Sequence, residues 1–279
     1  MKKKFNHLGW SKSFLTVPLL LIPQFTAAII IFSLGFDLSS MSSGIIDLKV
    51  MIILEYIMLI VMTLMLFLFM KYIDKQPFFH IGLQTNGRLK EFNYGIAVGF
   101  LIMASAYLFL YFTGEITFEG YILNYEKILL SIVLFAGISL FEEIIFRGYL
   151  LKNLLESFNP LVALFISSIL FSLIHGSNPN VTTIGLINIF LAGFFLGVSY
   201  VFTKNLWFPV ALHFSWNFFQ SMFGFRVSGL DSYSIIEFSI VENNLLNGGE
   251  FGFESSILSI GILIIGTYLI FKYFKKSKN

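Results

Sequence analysis

The sequence predicts an all-α, polytopic membrane protein of eight transmembrane helices with both termini cytoplasmic. Three observations carry that expectation. Hydrophobic residues make up 57% of the 279-residue chain and charged residues 12%, with a mean hydropathy of +0.83, far from an average soluble domain. The apolar residues fall into eight stretches, each near the ~20 residues that a helix needs to cross a bilayer. The 18 basic residues divide as 15 in segments that alternate to one side and three (Lys49, Lys127 and Arg226) on the other. That bias is what the positive-inside rule produces when both ends lie inside, and an odd number of spans would destroy it.

Taken in order, Lys2, Lys3, Lys4 and Lys12 precede an apolar run from Phe14 to Phe36. It is too long for the apolar core of a signal peptide and no small-residue cleavage site closes it, so it is expected to be a retained first helix. The second span runs from Val50 to Met70 and contains Glu55. A polar segment, 71–91, lies at the interface, and the third span covers Tyr94 to Thr113. The fourth starts at Ile128 and stays helical towards Glu156, where Asn159-Pro160 breaks it because proline lacks the amide and crowds the preceding turn. The fifth covers Leu161 to His175 and ends in the turn-forming Gly176-Ser177-Asn178-Pro179-Asn180. The sixth runs from Thr182 to Thr203 and the seventh from Leu206 to Phe225. A longer polar loop, 226–254, precedes the eighth, Ser256 to Tyr273, and a basic tail with Lys278. The chain therefore divides into three N-terminal helices with an interfacial loop (1–127), a four-helix core (128–225) and a loop, last helix and tail (226–279). There is no cysteine, which excludes disulfides, thiolate metal sites and cysteine nucleophiles. No internal repeat is present. The bias towards Phe, Ile, Lys and Asn points to an AT-rich bacterial genome and hence to a bacterial plasma membrane.

Ionisable groups at membrane depth are costly, and they face a protein interior or a watery cavity and carry function by default. Four spots qualify. Glu142 and Glu143 sit with Arg147 on the fourth span. Glu143 and Arg147 are four apart and share a face, whereas Glu142 is rotated by about 100° and is left to face something else. Phe171 and His175 lie four apart on the fifth span, His213 and Asn217 four apart on the seventh, and Glu55 stands on the second with no evident partner. Each could simply hydrogen-bond a neighbouring helix and hold the bundle together. The double carboxylate, the two histidines and the amide together, within one four-helix segment, make a purely structural account weaker.

Register supports a meeting point. Glu142 lies 16 residues before Phe158 and His175 lies 17 after it, so in an antiparallel hairpin both sit ~24 Å from the turn. His213 is only about eight residues from the Lys204-Asn205 turn, ~12 Å shallower, so the levels match only if the fourth and fifth helices project further into the cytoplasm. A carboxylate and an imidazole aimed at one water make a general base, and an imidazole with an amide can donate to an oxyanion. This set suits hydrolysis of a peptide bond within the membrane. A zinc ion held by His175, His213 and Glu142 is the rival reading, although no His-Glu-x-x-His helix is present.

Glu142-Glu143-x-x-x-Arg147 with its continuation Gly148-Tyr149-Leu150, then Phe171-x-x-x-His175, then His213-x-x-x-Asn217, in this order on consecutive spans, resemble the CAAX protease and bacteriocin-processing (CPBP, or Abi) family of intramembrane endopeptidases. The resemblance covers residues 128–223. It implies that Glu142 with His175 activates the attacking water and that His213 and Asn217 bind the oxyanion. Glu143 and Arg147 would hold the geometry and Phe171 would pack beside it. It also implies a membrane-associated peptide or protein as substrate, no nucleic-acid partner and no essential cofactor, with zinc as the alternative. The family's bacterial roles, bacteriocin self-immunity and maturation of secreted peptides, are both expected possibilities. The competing functions are a non-catalytic membrane scaffold or immunity protein and, against the absence of repeats, a small-solute transporter.

Overall fold

A computed structural model describes residues 8–35 and 47–276. The basic residues Lys2, Lys3, Lys4 and Lys278, and Phe36 at the expected end of the first span, lie outside the described residues. Seven described helical stretches are long and apolar enough to cross a membrane: 9–33, 48–74, 89–112, 125–157, 160–177, 183–203 and 257–276. These match the expected spans in order, each within a few residues. Their outer faces expose large apolar side chains such as Phe25, Ile29, Leu64 and Leu161, as a lipid-facing bundle requires. The expected seventh span is a helix of 16 residues, most of them buried, and it is not among these seven.

The first span is two helices, α1 (Gly9–Leu19) and α2 (Leu21–Ser33). They meet at Leu20 because Pro23 has no amide to donate to the carbonyl of Leu19. Helix α3 (Leu48–Phe69) is capped by Asp47, whose carboxylate accepts from the amides of Lys49 and Val50, leaving fewer N-terminal donors unpaired. After α4 (Leu89–Phe112) comes β1 (Ile116–Tyr121). The fourth span is composite: α5 (Tyr125–Glu143), a π-helical segment Ile144–Leu151, and α6 (Lys152–Ser157). Asn159 caps α7 (Pro160–Ile174) by accepting from Val162, and proline occupies the first turn, where its missing amide costs nothing. Helices α8 (Thr183–Thr203) and α9 (Trp207–Met222) follow, then β2 (Ile236–Ile240) and α10 (Ile257–Lys276). The departure from an all-helical chain among the described residues is the antiparallel pair β1–β2, with an irregularity between Phe118 and Gly120.

Three packings position the polar residues. Helix α4 lies along α9 at Gly95 and Gly99, where a Cβ would come within 2.8 Å of Ala211 Cβ and of Ser215 Cβ respectively. Small residues four apart let two backbones approach closely, and Ser215 Oγ donates to the Gly95 carbonyl at 3.0 Å. Helix α7 packs on α8, and α3 on α5. At Gly193 of α8 a Cβ would lie 2.6 Å from Ser168 Cβ of α7.

The depth mismatch expected for His213 is resolved by projection of the fourth span. A Cβ on Gly148 would sit 3.2 Å from both Leu206 and Ile81, so the start of α9 lies level with Gly148. Residues 149–158 continue past that level by about 15 Å. Helix α1 packs on this projection, with Ser13 donating to the Leu150 carbonyl at 3.1 Å and Ser157 Oγ accepting from the Trp10 amide at 3.0 Å. Counted from the Gly148–Leu206 level, Glu142 is six residues away and His213 seven.

Candidate active site

Glu142 and Glu143 close α5 immediately before the π-helical segment. Such segments inside α-helices concentrate at functional sites, and all eight residues of this one are buried. Glu143 is fully buried, and its Oε1 accepts from Arg147 Nη1 at 2.7 Å and faces His213 Nδ1 at 2.9 Å. The guanidinium also donates to the Gly193 carbonyl at 3.4 Å and lies 4.5 Å from the centre of the Phe171 ring. Phe171 stacks edge-on with Phe146 and with the His175 ring. Its ring thus contacts both the Arg147 guanidinium and the His175 ring.

Glu142 points the other way, as its rotation on the helix requires. Its Oε1 lies 3.9 Å from His175 Nε2 and its Oε2 lies 3.8 Å from His213 Nε2. Both separations are too long for a direct hydrogen bond and short enough for one bridging water. The tautomers follow from the partners of the other ring nitrogens. His175 Nδ1 lies 2.7 Å from the Phe171 carbonyl, which can only accept, so Nδ1 carries the proton and Nε2 offers a lone pair. His213 Nδ1 likewise donates to the Glu143 carboxylate, so its Nε2 donates only when the ring is an imidazolium.

Glu142, His175, His213 and Asn217 line one cavity of about 290 Å³, bounded also by Phe171, Phe195 and Trp216. Every site residue named from the sequence is therefore in this cavity or touches a residue that is. Glu55, which had no evident partner, lines it too. Three groups that the sequence reading did not single out complete it. Gln24 reaches it from α2, and a polar side chain in the middle of an apolar span was the clue to it. Ser228 and Glu254 come from the loop between α9 and α10, where polar residues are too ordinary to stand out. Glu254 Oε2 accepts from the Ser228 amide at 2.6 Å and from its hydroxyl at 2.8 Å. Burial pushes the Glu254 carboxyl above its ordinary value, against the Ser228 hydrogen bonds and the histidines, which pull it down. Asn188 of α8 fixes this corner by donating to the carbonyls of Glu254 and Ser256, both at 2.8 Å.

Among the described residues no group of three His, Cys, Asp or Glu side chains is placed to hold a metal ion, while both histidines fix Nδ1 on protein acceptors and leave Nε2 towards Glu142, an orientation that metal-binding histidines share. What remains is a carboxylate between two imidazoles, an amide one helical turn away and space for a peptide group. That arrangement can deprotonate a water and stabilise the anion formed by its attack.

Residues 124–219, which include Glu142, Glu143, Arg147, Phe171, His175, His213 and Asn217, match the family model described as Type II CAAX prenyl endopeptidase Rce1-like. No curated protein and no solved structure matches the chain.

Proposed function

From the premise that this chain belongs, through residues 124–219, to the CAAX protease family, we propose that it is a multi-pass membrane endopeptidase that uses Glu142, His175, His213 and Asn217 on a membrane-associated peptide. The observation that carries this reading is the position of the Glu142 carboxylate, within 4 Å of both Nε2 atoms (3.9 and 3.8 Å). A water held between Glu142 and His175 attacks the scissile carbonyl carbon and gives up its proton to one of these two groups. The new oxyanion is received by Asn217 Nδ2 and by the Nε2–H of the His213 imidazolium, whose charge Glu143 balances. The proton then passes to the amide nitrogen, the C–N bond breaks, and a carboxylate and an amine leave. General-base catalysis of this kind contributes typically 10²–10⁴-fold.

Arg147 serves this chemistry indirectly, since it fixes Glu143 and Glu143 fixes the His213 ring. No step is routed through a metal. The physiological substrate is a peptide or protein of a bacterial plasma membrane, with both termini of the enzyme on the cytoplasmic side. Processing of a bacteriocin or a secreted signalling peptide fits this location.

The test uses purified protein in nanodiscs and a library of N-acylated decapeptides with five randomised central positions, with products read by mass spectrometry. Glu142→Gln is expected to lower cleavage by 10²–10⁴-fold while folding and yield stay unchanged. Adding 1,10-phenanthroline is expected to leave the wild-type rate unaltered. Cleavage by E142Q at the wild-type rate sinks the protease reading and favours a scaffold.

A further inference from the structure

The catalytic proposal leaves one buried acid in the cavity without a task. Glu55 is 8% exposed and lines the same cavity as Glu142, and among the described residues nothing hydrogen-bonds its Oε1. The other two non-catalytic acids of the site are paired. Glu143 has Arg147 and His213, and Glu254 has both donors of Ser228. A buried carboxylate with no partner is strongly unfavourable. A partner that arrives with the substrate removes that penalty.

The charge of the cavity says what that partner is. Its lining contains the carboxyl groups of Glu55, Glu142 and Glu254, the imidazoles of His175 and His213, of which His213 is held by Glu143, and no lysine or arginine. The guanidinium of Arg147 is spent on Glu143, and that of Arg226, next to the lining residue Val227, on Glu250. A cation is therefore the ligand group that the Glu55 side of this wall favours. Position narrows it further. Glu55 packs against Gly137 of α5, where a Cβ would lie 3.2 Å from Glu55 Cγ. Gly137 precedes Glu142 by five residues on the same helix, an axial offset of about 7.5 Å, which an extended peptide covers in about two residues. Gln24, exposed on α2, and Met58, one turn along from Glu55 on α3, also line the cavity. The cavity thus extends from Glu142 past Glu55 to the exposed Gln24 of α2, where a membrane-resident chain can enter.

Resting on the endopeptidase reading for the position of the scissile bond, we infer that Glu55 determines specificity. It receives a basic side chain, lysine or arginine, carried about two residues from the cleaved bond. A hydrogen-bonded ion pair of this kind is expected to give about a tenfold preference over an isosteric neutral chain.

The experiment repeats the library digestion with lysine against norleucine at each randomised position, using wild type and Glu55→Gln. Lysine and arginine are expected to be enriched about tenfold at one position near the cut by wild type. In E55Q that preference is expected to vanish while norleucine peptides are cleaved at the wild-type rate. Absence of a lysine preference in wild type overturns the inference. An equal slowing of lysine and norleucine peptides in E55Q overturns it too, because it makes Glu55 structural or catalytic. A second arm measures retention of the same peptides on the E142Q protein with and without E55Q, and so does not depend on turnover. Selective loss of the lysine peptides supports the cation site even where E142Q cleaves as wild type and the protease reading has failed. Equal retention overturns it. Peptides with a free α-amino group in place of the acyl cap show whether a terminal ammonium serves as well as a side chain. Capture of those alone, without lysine selectivity, overturns the side-chain assignment.

Discussion

The Glu143–Arg147 pair offers the sharpest test of how the site is held. On an exposed helix, such a pair four residues apart contributes about 0.2–0.5 kcal/mol. Here Arg147 is 1% exposed and Glu143 0%, with 2.7 Å between them. Removing one partner from a buried pair leaves an uncompensated charge, at a cost of about 3–5 kcal/mol, and this effect outweighs the surface figure by an order of magnitude. Arg147→Met strands the Glu143 carboxylate, whose Oε2 already has no partner among the described residues. Glu143→Gln strands the guanidinium over the Phe171 ring. The double variant removes both charges and keeps much of the volume, so it is expected to lose less than the sum of the singles by about 3 kcal/mol, the upper end of measured couplings. Equilibrium unfolding of the four proteins in mixed micelles measures the cycle. Cleavage is a separate readout. Glu143→Gln retains a carbonyl that can accept from His213 Nδ1, so it is expected to keep more activity than Arg147→Met retains. Additive singles, with the double variant the least stable of the set, would refute the reasoning, because they would mean that the pair is hydrated and only weakly coupled.

Two further outcomes follow from the same geometry. Asn217→Ala removes an oxyanion donor and is expected to lower kcat by about 10²–10³-fold with little change in KM, which progress curves on a single cleaved peptide can separate. Glu254 has a carboxyl value raised by burial, so between its unfolded and its folded value the folded protein binds more protons than the unfolded one. Stability is therefore expected to fall as pH rises through that window. Glu254→Gln, which keeps an oxygen for the two Ser228 donors, is expected to flatten that part of the profile; a wild-type stability that rises with pH there contradicts the assignment.

Much of the fold was legible because bilayer length is a strong constraint on a chain this apolar. Helix ends were readable where local chemistry sets them, as at Asn159-Pro160. The β1–β2 pair was not, since two short strands separated by more than a hundred residues leave no local pattern in polar loops. The break at Leu20 was written in Pro23 but masked by the unbroken apolar run around it. The site residues were legible for an energetic reason: a charge in a membrane helix needs a compensating partner, so the sequence names both halves of the arrangement. Glu254 and Ser228 escaped because a carboxylate in an aqueous loop needs no such excuse.

The depth of His213 shows where one-dimensional arithmetic stops. Counting from each hairpin turn places His213 about 12 Å from the level of Glu142, yet His213 Nε2 lies 3.8 Å from the Glu142 carboxylate. The error was in taking the two turns as level. The count is restored by the contact of Gly148 with Leu206 and Ile81, which fixes the start of α9 against the middle of the fourth span. A glycine at that place lets the chains close up, and the residues beyond it are free to project because α1 covers them. The same glycine belongs to the run Phe146-Arg147-Gly148-Tyr149-Leu150 that continues the double-glutamate motif. That run therefore does more than follow the two glutamates: Arg147 pairs with Glu143, and Gly148 sets the height at which the seventh helix delivers its histidine.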